Sequence, residues 1–222
     1  DVVLDKIRGA GSIDVLFHYA VGPRSAATSR SFGKVVKTPE DVKGLRFRVP
    51  ASKTLATFYK LAGATPRKIG WAKTAAAARK ALFDALDPGI IGLYNGPNNL
   101  RAEIHGISRI QSVHDGWLAV VSQKWLASLP VDLREVVKQA SDKTFRDQLK
   151  STAQITAKCI ESFTQDGTTV YMPTASEKQQ WIDQCGHSRP EWTPIKRKLL
   201  GDVSLFDKLA AATKVNNGYS AG

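Results

Sequence analysis

Gly44-Leu45-Arg46-Phe47-Arg48-Val49-Pro50 alternates apolar and basic residues with a period of two. The pattern predicts a short β-strand with Leu45, Phe47 and Val49 on one face and two arginines on the other. A helix should begin at once after it, since Pro50 and Ser52 precede the apolar run Leu55, Phe58, Tyr59, Ala62. An arginine at a strand end beside a helix N-terminus adds its charge to the positive end of the helix dipole. Such a place suits a carboxylate or a phosphate. Solvated charges on an edge strand are the competing reading for Arg46 and Arg48.

Outward from this stretch, strands and helices alternate. Ile13 to Ala20 reads as a buried strand, broken by Gly22-Pro23 with Arg24 at the turn, and His18 within it as a core histidine. Thr38-Pro39-Glu40-Asp41 carries the start signals of a short helix. Gly63 stops the helix over 52–62, and 66–70 form a short strand before Trp71. Ala75 to Leu86 is expected as a helix, ended by Pro88-Gly89, and Ile90 to Tyr94 as a buried strand leading into the loop from Asn95. Two further strands, 107–113 and 117–121, flank His114-Asp115-Gly116. This alternation predicts α/β layers with a largely parallel sheet.

The second half differs. From Pro130 to Asp166 no glycine or proline intervenes, and apolar positions 133, 137, 140, 145, 149, 153, 156, 160 and 163 drift as one stripe, with Asp142 and Arg146 paired opposite. At 1.5 Å per residue this single helix runs about 50 Å, longer than one small lobe. A strand at 168–172 and helices near 174–184, 191–200 and 202–214 complete the chain, and 216–222 is expected to fray.

Composition narrows the function. With 222 residues and 42% apolar content the chain can bury a core, and no apolar run nears the ~20 residues that span a bilayer. A net charge of +12 admits nucleic acid, anionic membrane or an anionic small ligand, but the basic residues are scattered, with Lys196-Arg197-Lys198 the densest cluster. Cys159 and Cys185 have no metal-binding spacing; a disulfide between them is favoured over two buried thiols because both flank the same strand-like segment. Asp1 in place of a start methionine, with no leader-like segment, leads to the expectation of a processed chain or a fragment.

Enzyme constellations are missing: Gly9-Ala10-Gly11 lacks a third glycine, the four histidines are isolated, and Ser31-Phe32-Gly33-Lys34 lies in a loop. What recurs is a polar or aromatic group at the carboxyl end of a predicted strand: Arg24, Arg48, Trp71, Tyr94, Asn95, His114 and Trp117. In open α/β sheets ligands sit outside those ends. Two guanidiniums, an amide and aromatic walls suit an organic anion.

The run Thr38 to Pro50 followed by Gly63-Ala64-Thr65-Pro66, with Gly22-Pro23-Arg24 and Thr28-Ser29-Arg30 before it, resembles the solute-binding proteins of tripartite ATP-independent periplasmic (TRAP) transporters. Ala85-Leu86-Asp87-Pro88-Gly89-Ile90-Ile91-Gly92, Leu129-Pro130 and Gly167 continue the likeness. The resemblance implies a two-lobed, periplasmic-binding-protein-like α/β architecture with a long lobe-bridging helix at about 130–166 and an incomplete first lobe. Residues 1–21 would be the remnant of lobe I, 22–122 lobe II, 123–166 the bridge, and 167–222 a strand and helices packing on lobe II. It further implies that Arg48 pairs with the carboxylate of a small organic acid, assisted by Arg24 and Asn95, in a periplasmic monomer without catalysis or cofactor that docks on membrane permease subunits. A basic nucleic-acid-binding module and a hydrolase with an unrecognised serine are the alternatives. Set against the family pattern, the resemblance implies three departures: an aspartate expected between Ile91 and Gly92 is not there, Lys73 and an alanine run follow Trp71, and the chain is expected to begin inside the first lobe, after the family's first α/β units.

Overall fold

Strand β3 (Arg46–Val49) lies inside a six-stranded sheet, with Phe47 and Val49 fully buried on one face. The computed structural model describes residues 2–215, so the expected fraying at 216–222 lies outside the described residues. The sheet has the order β4 (Thr65–Lys68), β3, β5 (Ala85–Leu86), β2 (Ala26–Ser29), β6 (Ile104–Ser108), β8 (Thr169–Tyr171). Neighbours run parallel except at β2, which is antiparallel to both β5 and β6.

Alternation along the strands sends neighbouring residues to two separate cores. Ala26, Phe47, Val49 and Ala85 face helices α2 (Lys53–Leu61), α7 (Ala175–Cys185) and α8 (Thr193–Leu200), where Phe58 stacks on Trp181 at 5.9 Å. Ala27, Leu86 and Ile107 face α3 (Thr74–Arg79), α4 (Ile90–Tyr94) and the end of α6 (Val131–Gln165). Local signals start the helices as expected: the Ser52 hydroxyl accepts from the Leu55 amide at 3.2 Å, and Thr174 and Glu177 form a capping box on α7.

Two segments read otherwise in the sequence. The helix expected over 75–86 stops at Arg79; Ala81 turns the chain at φ +48° so that Ala85 and Leu86 can join β3 and β2. Residues 90–94 form helix α4, not a strand, because Pro88-Gly89 resets the chain direction and the β2–β5 pairing already fills that position in the sheet.

The chain leaves this sheet twice, side by side. Strand β1 (Ile13–Pro23) pairs antiparallel with β7 (His114–Ser122) in a separate two-stranded ribbon, and the Arg24 amide donates to the Val113 carbonyl at 2.8 Å where the ribbon meets the sheet. β1 is therefore a half-exposed ribbon strand, not the buried strand expected. His18 is exposed, lying over Gly116 of β7, and is not a core histidine. Segments 13–21 and 114–122, which the expected division put in different lobes, pair with each other.

The long helix is present as expected, 35 residues and about 50 Å. Its middle carries the ribbon, with Gln148 Nε2 donating to the His18 carbonyl at 3.5 Å and Thr152 Oγ1 to that of Ala20 at 3.4 Å; its last turns bury Cys159 and Phe163 under the six-stranded sheet. The buried stripe thus includes Ser141 and Gln148, while Leu133 and Leu149 of the expected apolar stripe are exposed. Ribbon carbonyls reward polar side chains there. The ion pair on the solvent side is Lys143–Asp147. Helices α1 (Val2–Ala10), α5 (Gln123–Ser128) and α9 (Ser204–Val215) complete the fold. Both cysteines are free, contrary to the favoured disulfide: Cys159 belongs to one core and Cys185 to the other, across the sheet.

Candidate functional site

Arg46 and Arg48 project from the same face of β3 into different surroundings. Arg46 is closed off by Asp84, which accepts from Nη2 at 2.6 Å, from Nε at 3.1 Å and from the Arg46 amide at 2.8 Å. That forked pair holds the Asp84 carboxyl below its ordinary value. Arg46 is structural.

Arg48 is 2% exposed and has no carboxylate within ion-pairing distance among the described residues. Its Nε and Nη2 both donate to the Ile69 carbonyl, at 3.0 and 2.8 Å, and its guanidinium lies 5.1 Å from the Trp71 ring centre. One edge of the fork is thereby spent on backbone, and Trp71, 38% exposed, covers one flank. Burial, followed by repulsion from Arg24, lowers the Arg48 pKa to about 10, with Asp87 opposing that shift. At the Nη1–Nη2 end, Nη1 has no hydrogen-bond partner among the described residues.

Arg24, at the point where the ribbon joins the sheet, is paired with two carboxylates. Nη1 donates to the Asp87 carbonyl at 2.6 Å and to Asp87 Oδ1 at 2.9 Å, and Nη2 pairs with Asp115 Oδ2 at 2.8 Å. Burial works against its charge, but the two carboxylates more than offset this and its pKa is raised. Asp87 is fully buried and also accepts from the Tyr59 hydroxyl at 2.5 Å and the Ser112 hydroxyl at 3.3 Å. Burial pushes its carboxyl up, against the pull of Arg24, Tyr59 and Ser112. Tyr59 stacks on Phe47 at 3.5 Å, which ties this network to the core under β3.

Of the expected set, Arg24, Arg48 and Trp71 come together. Asn95 caps α4 with its amide turned onto the Ile91 carbonyl at 3.2 Å, and is exposed. Tyr94 packs edge-on against Phe163 at 5.4 Å and under Arg101, as part of the α6 contact and not as a wall beside Arg48. His114 is exposed at the start of β7, and Trp117, 70% exposed, stands opposite Tyr19 on the ribbon. Among the described residues neither arginine lies against the Trp117 ring, although Asp115, two residues earlier on β7, pairs with Arg24.

Asp87, Tyr59, Ser112 and Asp115 were missed as site residues. The signal for Asp87 was a lone acid in an otherwise small and apolar run; nothing marked Tyr59, which reads as one more core residue of its helix. A cavity of about 680 Å³ lies away from the arginines, between α2, α7, α8 and α9 against Phe58, Trp181, Leu199 and Phe206.

A buried, unpaired arginine in an α/β sheet, beside the point where two strands leave it, is an arrangement suited to holding an anion. The family model for bacterial extracellular solute-binding protein, family 7 (DctP) matches residues 3–191, and the chain belongs to that family. It is 25% identical over 183 residues to the C4-dicarboxylate-binding periplasmic protein DctP of Vibrio cholerae, covering 78% of this chain and 51% of that protein. A TRAP periplasmic solute-binding protein from Sulfurospirillum deleyianum with bound succinate superposes with a TM-score of 0.76 at 20% identity, over 95% of this chain and 66% of that one. The periplasmic ectoine-binding protein of a TRAP transporter from Halomonas elongata gives 0.80 at 17% identity, with 95% and 66% covered. The chain thus spans about half the length of the curated relative and two thirds of these solved structures.

Proposed function

We propose that this chain is the arginine-bearing part of an extracytoplasmic solute-binding protein that captures a small organic acid and passes it to the membrane permease of a TRAP transporter. The observation that carries the reading is Arg48: a buried guanidinium with no carboxylate paired to it and no hydrogen-bond partner at Nη1 among the described residues. Leaving such a charge buried is costly, and a ligand carboxylate is the group that relieves it. The relatives named for C4-dicarboxylates, or holding succinate, favour an acid as the ligand class. Trp71 supplies an aromatic flank, and Arg24 anchors the crossing strands next to the site. The acid is held by charge and hydrogen bonds alone; transport, not catalysis, is the family's work. The nucleic-acid alternative finds no support in these matches.

Isothermal calorimetry with a panel of organic acids tests the reading. At least one acid should bind, and Arg48→Ala should weaken it by about 2–5 kcal/mol, the cost of truncating one partner of a buried charge-assisted pair. A folded preparation that binds no acid in the panel would sink the proposal.

A further inference from the structure

Two arginines suggest two carboxylates, but Arg24 already has carboxylate partners from the protein and Arg48 has none among the described residues. Arg24 Nη1 is held by the carbonyl and carboxylate of Asp87, and Arg24 Nη2 by Asp115. Asp87 cannot turn away, being fully buried and also gripped by Tyr59 and Ser112. The charges of Arg24 and Arg48 are thus balanced in number by Asp87 and Asp115, and only Arg48 lacks a direct counter-ion. Its Nε edge is spent on the Ile69 carbonyl, so the Nη1–Nη2 end can take one carboxylate bidentately. A second carboxylate on a short skeleton would approach an Arg24 whose charge is already paired with two fixed acids of the ligand's own sign. Like charges brought together at a binding surface cost several kcal/mol.

We propose that this site selects acids with a single carboxylate over dicarboxylates of the same skeleton, and that Asp87 and Asp115 set this preference by occupying Arg24. The inference rests on the carboxylate reading of Arg48 given above. It separates this chain from the relative named for C4-dicarboxylates. Asp87 and Asp115 are positioning residues, acting through Arg24.

Calorimetry on matched pairs provides the test: butyrate against succinate, 2-hydroxybutyrate against malate, gluconate against glucarate. In the unmodified chain the monocarboxylate of at least one pair should bind at least about tenfold more tightly, and in no pair should the order reverse. Asp115→Asn, at a partly exposed position, should narrow that ratio by freeing Arg24 Nη2. A merely structural role for Asp115 would weaken both members alike and leave the ratio unchanged. Dicarboxylates binding as tightly as their partners in the unmodified chain overturn the inference, as does an unchanged ratio in folded Asp115→Asn. If no member of any pair binds, or if binding survives Arg48→Ala undiminished, the carboxylate reading itself falls and takes this inference with it.

Discussion

Arg46 and Arg48 stand two residues apart on one strand, and the sequence could not separate them by pattern. Alternation put both on the same face, as found, but their partners come from 84 and 69, positions that no local window contains. The likeness to a known family singled out Arg48, and its burial without a counter-ion agrees with that choice. Arg46 behaves as the opposite case. Because Asp84 is held below its ordinary value, its pair with Arg46 contributes stability above pH 3.8, and this is lost as pH falls through the lower folded value. Denaturant titrations should therefore show Asp84→Asn destabilising the chain at pH 6 and converging with the unmodified protein near pH 2. The cysteines make a second residue-scale prediction. Burial raises the Cys185 thiol to about 12 and Cys159 upward as well. Both thiols are buried and held in the protonated form, so neither should react with Ellman's reagent at pH 8 in the folded chain. Two should react per unfolded, unreduced chain; none reacting would restore the disulfide.

Among elements, the long helix and the strand at 46–49 were the most legible, and the segment 75–94 the least. A run of alanines with Leu82 and Leu86 has high helix propensity, but two buried residues of it were worth more as a strand between β2 and β3. Propensity sees neighbours in sequence; the sheet decides by neighbours in space. The buried face of α6 was shifted for a related reason, since Gln148 and Thr152 answer ribbon carbonyls that the helix pattern alone does not reveal. Where a stop signal is purely local the reading holds. Gly63 closes α2 at φ +85°, and a Cβ there would stand 3.0 Å from Lys43 Cγ. Gly63→Ala should lower stability by about 1–2 kcal/mol, measurable by urea unfolding. An unchanged midpoint would mean that the chain relaxes out of the left-handed turn.

At the scale of the whole molecule, one six-stranded sheet and a two-stranded ribbon are joined by a long helix that packs on both. The α/β class was readable from alternation, but the ribbon was not, since β1 and β7 are 90 residues apart and each looks like an ordinary strand. The candidate site was legible in its arginines and in Trp71. Its acids were hidden, because a buried aspartate and a surface aspartate look the same in a sequence until the fold brings Arg24 to one of them. The ribbon leaves Trp117, Leu118 and Val120 exposed, and Trp125 stands exposed on the following helix. The central claim is that Arg48 receives the carboxylate of the ligand. A crystal structure with the tightest-binding acid tests it most directly: the carboxylate oxygens should lie about 2.7–2.9 Å from Nη1 and Nη2 of Arg48, with Arg24 still bound to Asp87. A carboxylate seated on Arg24 with the Asp87 pair broken, or an acid bound away from both arginines, would contradict it.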